Sequence, residues 1–428
     1  MSKTGDNHFN HKDIQTHLKH ILLEDYLKNW SQVFANANYG KKIKTVNFVD
    51  GFAGRGYFDD GKMGSPQIAI NRLLNFQNIL QAEYSNDLRF KFYNVEYNTE
   101  YHQELEKIRL RSPYPHQIQN FSGKFEDHLD TLIHYTQGKP TFYFIDPFGY
   151  KGVNMNDMHR IIQQPSNELL INVMSYSLVR NITIKSSENE LCKFFGVNTL
   201  PTDISKYLNL RRNSSDSLSL PLMQDLLKLE DNIIELYKTQ IKSGTSNVYT
   251  LSKRIHSQIN NNIYFHLVFV TRDRKGLIEM KKSMVQFEDL RTKAENHYII
   301  QNQLNASTFQ DDLFSDTNRH NSYGYKEFVQ DFMLHFNKKE HVTYAKIIDF
   351  YLQYSPLPFE SNDKKSISDY AKTLFSTNKN LIKTDNYAFK DYRERAECNT
   401  INSGLPPSTL SRLENRPKEV QQVEFELF

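Results

Sequence analysis

Val46-Asn-Phe-Val-Asp-Gly-Phe-Ala-Gly-Arg-Gly56 decides the fold. Its first part, Thr45 to Asp50, is short, rich in β-formers and closed by glycines, the pattern of a buried strand entering a turn. Gly54 and Gly56 carry no Cβ and can take positive φ, so backbone can come close to a ligand there. Behind them Ser65-Pro66 supplies an N-cap and then proline at the first helical position, which predicts a helix to about Leu80. A dinucleotide site needs a third glycine and a helix directly after the turn. Position 59 is Asp and residues 57–65 intervene, so NAD or FAD is disfavoured.

Outward from this stretch the pattern alternates. Upstream, Ile14, Leu18, Ile21, Leu22, Tyr26, Leu27, Trp30 and Phe34 recur every three or four residues, predicting an amphipathic helix from His11 to Ala35. Downstream, strands are predicted at Phe90 to Glu96, Gln117 to Phe121, Thr141 to Asp146, Glu168 to Met174 and Ile263 to Thr271. Helices are predicted at Thr99 to Arg111, Lys124 to Tyr135 and Asn156 to Gln163. Continuous apolar strands such as Phe142-Tyr-Phe-Ile145 belong to a mostly parallel sheet covered on both faces. The expected fold class is α/β: a Rossmann-like, doubly wound, mostly parallel sheet with a helical insertion and a C-terminal winged-helix-like domain.

That reading places the α/β domain over 1–300, with the insertion over about 181–255 containing helices at Glu188 to Phe195 and Leu218 to Lys242. A polar linker is expected over 301–324. The winged-helix-like domain, 325–395, rests on helices at Tyr325 to Phe336, Tyr344 to Tyr354 and Ser366 to Ser376, then a hairpin turning at Asp385-Asn386. Its charge is close to balanced, so DNA binding gains little electrostatic help and a protein contact is at least as strong a reading. Residues 396–428 are expected to be a flexible tail.

Composition narrows the function classes. Among 428 residues, 53 Lys and Arg against 50 Asp and Glu leave +3, which excludes a nucleic-acid coat or an acidic tail protein on bulk electrostatics. Any anionic partner must be bound locally, by cations such as Arg55, Lys151 and Arg180. With 29 Phe and 25 Tyr the core relies on rings that each bury large areas. No apolar run is long enough for a membrane span and the N-terminal segment lacks a signal-peptide core, so a cytoplasmic location and no membrane contact are expected. Cys192 and Cys398 stand far apart without paired Cys/His spacing, and His102, His116 and His128 lack ligand spacing. Neither a zinc site nor any other metal site is expected.

Three groups could carry chemistry. The glycine loop, Asp50-Gly51-Phe52-Ala53-Gly54-Arg55-Gly56, follows one central strand. Glu96 ends the next, where an acid can accept hydrogen bonds from both hydroxyls of a ribose. Asp146-Pro147-Phe148-Gly149 ends another. There a carboxylate, a backbone carbonyl and a ring can hold the amino group and plane of a base. Phe125, opening a helix after Ser122-Gly123, can face an adenine. Taken singly, each is also what an ordinary strand-ending turn contains. Together they fall at the carboxyl ends of successive strands, where open α/β sheets bind ligands.

In this arrangement the chain resembles the class I S-adenosylmethionine-dependent methyltransferases. Asp50, Gly51, Phe52, Ala53, Gly54 and Gly56 look like their cofactor loop and Glu96 like their ribose acid, with Phe125 beside them. Asp146-Pro147-Phe148-Gly149 looks like the Asp-Pro-Pro-Tyr type loop of enzymes that methylate exocyclic amino groups. More closely, the helix from Lys19 to Trp30, Asp50 to Gly56, Gly64-Ser-Pro66, Asp146 to Gly149 and the strand and turn from Tyr264 to Gly276 resemble the three-Cys-motif partner protein family, TcmP. The resemblance covers about residues 12–290. It implies a methyltransferase-like fold, S-adenosylmethionine as cofactor, and a cysteine-motif, radical-SAM-like protein as partner, without supplying an established reaction. Two functions are open: a methyltransferase acting on an amino group of a nucleic-acid base, or an inactive methyltransferase-fold adaptor that binds a cysteine-motif protein or DNA through its winged-helix-like domain.

Overall fold

The structure, a computed structural model, describes residues 14–35, 43–173, 186–202, 206, 220–255, 265–302, 323–336, 344–362, 365–377, 382–384 and 423–425. Two compact units divide the chain: Met1–Leu27, Thr45–Asp273 and Arg291–Gln310 in the first, Lys28–Lys44, Arg274–Leu290 and Asp311–Phe428 in the second.

In chain order the elements of the first sheet are β1 (Thr45–Asp50), β2 (Arg89–Glu96), β3 (Ile118–Ser122), β4 (Thr141–Ile145), β5 (Asn167–Val173), β6 (Tyr249–Ile255) and β7 (Phe265–Thr271). They lie side by side as β3-β2-β1-β4-β5-β7-β6. The first five are parallel, whereas β7 runs antiparallel to both β5 and β6. This is the dinucleotide-binding order 3-2-1-4-5-6 with one reversed strand inserted before its last member. The chain therefore has a Rossmann-like α/β sheet, and its order reverses at β1, between β2 and β4.

Helices α1 (Ile14–Ala35), α2 (Ser65–Tyr84), α3 (Thr99–Arg111), α4 (Phe125–Thr136), α5 (Met155–Gln163), α6 (Ser186–Phe195) and α7 (Leu220–Ser243) connect or cover the strands. Alternation along the strands explains why both faces must be covered. Phe142 points to one face, where its ring lies 5.1 Å from Tyr26 of α1 and 6.0 Å from Phe48 of β1. Tyr143 and Ile145 point to the other and join Leu129, Leu132, Met158, Phe194 and Tyr237 from α4 to α7. Rings fill both layers, as the Phe- and Tyr-rich composition requires. The Tyr26 hydroxyl donates to Glu168 on β5 at 2.6 Å, and Thr271 of β7 donates to the other Glu168 oxygen at 2.9 Å, so no acceptor of that buried carboxylate is left bare.

Within the second unit, residues 274–290 of α8 (Arg274–Asn302) sit with α9 (Tyr325–His335), α10 (Tyr344–Tyr354) and α11 (Ile367–Thr377). Arg274 forms a two-pronged ion pair with Asp349 of α10 at 2.6 and 2.8 Å, and the Lys281 ammonium donates to the Ser355 carbonyl. Phe328 and Tyr351 stack with ring centres 3.6 Å apart.

The observed elements differ from expectation in four places. Strand β6 replaces the end of the insertion that was read as helical. Helix α8 extends 29 residues where only a strand and turn were expected, and reaches Asn302, the start of the expected linker. Helix α2 takes Gly64 as its N-cap, with Ser65 as its first residue. Strand β8 (Ile382–Thr384) pairs antiparallel with β9 (Val423–Phe425), a piece of the expected flexible tail. The Asp385-Asn386 tip and Tyr387 to Phe389 lie outside the described residues, as do Arg180 and most of 301–324. Among the described residues, no helix is long and apolar enough to cross a membrane.

Candidate functional site

The glycine loop leaves β1 and is stitched to the strands on either side. The Gly51 N–H donates to the Phe144 carbonyl of β4 at 3.0 Å, and Ala53 donates to the Val95 carbonyl of β2 at 3.0 Å. Gly54 then donates to the Glu96 carboxylate at 2.7 Å. Gly54 and Gly56 take φ of +62° and +86°, conformations strained for any residue with a Cβ. A Cβ on Gly56 would also meet Ile108 of α3 at 2.5 Å. The positive φ is what demands glycine there, and any side chain would in addition require the Ile108 methyl to move aside.

Asp50 ends β1 entirely buried. One carboxylate oxygen accepts the Phe52 N–H at 3.1 Å, and the other, Oδ2, has no donor in full hydrogen-bond geometry, the Ser65 hydroxyl being the polar group nearest to supplying one. Burial pushes the carboxyl from its ordinary 3.8 up to about 7. The neighbouring Ser65 hydroxyl and the Phe52 N–H oppose that shift, while the charges of Asp146 and Glu96 add to it. Three acids from three adjacent strands therefore face a common region at the carboxyl edge, where the strand order reverses.

Glu96 is held by two backbone donors, Gly54 and Asn98, each at 2.7 Å. Burial raises its pKa against those hydrogen bonds and the nearby His102. His102, which lacks metal-ligand spacing in the sequence, lies within electrostatic reach of this acid. Replacing Glu96 with Gln would set an amide NH2 against one of the two N–H donors. The expected cost is about 1–3 kcal/mol, the penalty of an orphaned buried donor. Urea unfolding at pH 8 checks it, and an unchanged midpoint would contradict the role of Glu96 as the loop's anchor.

Asp146 lies one residue past β4. Its Oδ1 accepts from Asn172 of β5 at 2.7 Å, and its Oδ2 is ion-paired with Lys19 of α1. Pro147 is buried, Gly149 half-buried, and Phe148 is 67% exposed, so its ring stands at the edge of the sheet. Phe125 is not at that surface: it is buried, its ring beside Gly51, where a Cβ would come within 2.9 Å of it. It stacks obliquely with Phe52 at 5.9 Å. Phe125 therefore shapes the floor of the loop instead of facing a ligand, because helical spacing puts Phe125, Leu129 and Leu132 on one inward stripe. Arg55 pairs with Glu104 at 2.7 Å and Asp59 at 2.7 Å, both carboxylates outside the expected ligand region.

The structure thus gathers Asp50, the glycine loop, Glu96 and Asp146, and adds Lys19, Ser65 and Asn172. Ser65 was visible in Gly-Ser-Pro as a helix start. Lys19 and Asn172 are 127 and 26 residues from Asp146, and no spacing could have joined them to it.

Fold and site together define a Rossmann-like α/β sheet with acids clustered at its switch point. No family model matches the sequence. No curated protein matches it either. Solved structures that align with the chain include the Legionella pneumophila protein LPL1258, described as DUF519, at 12% identity and TM-score 0.32 over 58% of this chain and 85% of that one. Cofactor-bound Rv0187 from MTB aligns at 10% identity and TM-score 0.26, over 57% and 78%. The O-methyltransferase TomG from Streptomyces achromogenes, solved with SAM, aligns at 10% and 0.28, over 63% and 99%. These scores are too low to transfer anything to this chain, so its chemistry has to be argued from its own residues.

Proposed function

We propose that this chain is an S-adenosylmethionine-dependent methyltransferase of the three-Cys-motif partner type, acting on an amino group of a nucleic-acid base. The observation that carries the reading is the wholly buried Asp50 carboxylate, short of well-formed hydrogen bonds at Oδ2 and with Glu96 and Asp146 in electrostatic reach. Such a cluster is built for a ligand bearing positive charge and hydrogen-bond donors. S-adenosylmethionine fits: it has a sulfonium, an ammonium and two ribose hydroxyls. When bound it supplies a methyl group already activated for transfer.

The protein's share is then position and exclusion of water. Asp50 and the backbone of Gly51, Phe52, Ala53, Gly54 and Gly56 would hold the cofactor, and Glu96 has lone pairs left for ribose hydroxyls. Asp146, Pro147 and Gly149 would present acceptors to the amino group, with Phe148 stacking on the base. Gly54→Asp puts a strained, anionic residue against Glu96 and is expected to weaken the cofactor by at least about tenfold, or about 1.4 kcal/mol. Calorimetric titration measures this. Wild type that binds nothing at millimolar cofactor overturns the proposal.

A second reading has its own support. Both Asp146 oxygens are engaged by protein groups, which is what an inactive site retained by an adaptor would show. In that reading α9 to α11 and the β8-β9 pair form the winged-helix-like module that docks a cysteine-motif partner or DNA. Labelled methyl transfer to cellular RNA, DNA and protein fractions separates the two: cofactor binding with no labelled fraction favours the adaptor.

A further inference from the structure

The Lys19 ammonium occupies the place on Asp146 that a protonated amine would seek. We propose that Lys19 sets the charge of the acceptor: it keeps the Asp146 edge neutral, so the site takes an uncharged amino or amide group and refuses an alkylammonium. This rests on the methyl-acceptor role given to Asp146 and goes further by naming what selects the acceptor.

Three observations converge. First, the pair is closed: the side chains of Lys19 and Asp146 are 9% and 15% exposed, so neither charge is offset chiefly by water and each requires the other. Second, the remaining Asp146 oxygen is taken by the Asn172 amide, whose NH2 must face the anion, and this turns its carbonyl Oδ1 away. That Oδ1 is buried without a hydrogen-bond partner. The unsatisfied acceptor beside Asp146 is therefore a buried neutral carbonyl, matched to an N–H of a neutral group that reaches it. Third, Lys19 is placed by the fold: Gln15, Thr16, Leu18, Lys19 and His20 are all buried on one turn and a half of α1. Lys19 also lies over the Phe265 ring at 5.3 Å, and His20 lies 6.4 Å from Phe58 of the loop after Gly56. A long polar side chain buried in this manner is held in position, not trailing in solvent.

A second cation arriving at Asp146 would meet Lys19 at close range in a region of low dielectric, whereas a neutral donor meets no such repulsion. Removing the ammonium converts the edge into an unpaired carboxylate, a cation site. Ligand-observed NMR titrations at pH 7 with n-butylammonium and with cytidine test this on wild type, Lys19→Met, Lys19→Arg and Asn172→Leu. The expected result is that n-butylammonium binds Lys19→Met at least about tenfold tighter than wild type or Lys19→Arg. Cytidine is expected to bind wild type and to weaken at least about tenfold in Asn172→Leu. Equal n-butylammonium affinity in wild type and Lys19→Met, or cytidine binding indifferent to Asn172→Leu, overturns the proposal. Lys19→Gln replaces Lys19→Met if the latter does not fold. Every n-butylammonium titration is run in an Asp50→Asn background, because Asp50 itself attracts cations, and n-butylammonium binding as tightly as cytidine in that background with Lys19 intact overturns the proposal. Titrating S-adenosylmethionine in the same samples keeps the two ideas apart. Probe selectivity without cofactor binding removes the methyltransferase reading alone; cofactor binding without selectivity removes this one alone.

Discussion

Asp50→Asn is expected to be more stable than wild type at pH 8 and to lose that advantage by pH 4. The carboxyl of Asp50 is held up at about 7 in the folded chain, against its ordinary 3.8, chiefly because burial penalises the anion. Below about pH 4 both folded and unfolded chains keep the proton, and the group does not bias folding. As pH rises from there, the unfolded chain gives up its proton while the folded chain retains it, so stability falls at about 1.4 kcal/mol per pH unit. Beyond the folded value the loss levels off at about 4 kcal/mol, three units' worth. Asparagine stays neutral throughout and escapes the penalty. Thermal or urea unfolding of the two proteins across pH 4 to 8 gives the difference directly, and subtraction cancels groups common to both. A difference that stays flat over this range would falsify the view that Asp50 holds its proton.

The same linkage bears on function. A cation bound beside Oδ2 favours the ionised form, so cofactor affinity should climb with pH toward the Asp50 value and flatten above it. Asp50 thus stores instability at the point where a positively charged ligand relieves it, which ties the cost of the site to its occupancy.

How much of this was legible in the sequence depended on whether the cause was local. Strand β1 and its bounds followed from a β-branched run cut off by glycine, and Asp50 was placed at the carboxyl edge by that alone. Glu96 and Asp146 followed from the same logic repeated. Strand β6 was missed because Ser252, Lys253 and Arg254 interrupt its apolar residues, and it follows a helical segment with Ser-rich flanks. Helix α8 was legible and overlooked: Leu277, Met280, Met284 and Phe287 are spaced by three and four, and all four are buried. Partners were the least legible. The Arg55 pair with Asp59 is an i,i+4 contact any reader could suspect, but its stronger contact with Glu104 spans 49 residues. Lys19, the residue that completes Asp146, carries no mark in sequence: it is one of two lysines on an amphipathic helix that also holds Glu24 and Asp25.

Asp349→Ala is expected to cost the second unit about 3–5 kcal/mol, the usual consequence of leaving one member of a desolvated ion pair behind. The side chains of Arg274 and Asp349 are 7% and 17% exposed, and the two hydrogen bonds run in parallel, so little water reaches the guanidinium to replace a lost carboxylate. The pair lies between the first turn of α8 and the middle of α10. Six residues further on, just past the end of α10, Ser355 accepts from Lys281 through its carbonyl, a second polar tie between the same two segments. Together with the buried Leu277, Met280, Met284 and Phe287, these ties make residues 274–290 part of the body that α9 to α11 form. The variant separates charge from packing. Arg274→Met combined with Asp349→Leu removes both charges and restores apolar volume, and should recover most of the loss, since a buried pair adds little net stability over apolar residues. Chemical unfolding followed through the second unit's tyrosines measures both. If the double variant is no more stable than Asp349→Ala, the loss comes from packing, and the pair is not what holds α8 against α10. A fragment starting at Tyr325 lacks Arg274, Lys281 and the α8 stripe, and by the same reasoning is expected to expose the surface they cover and to melt without a cooperative transition.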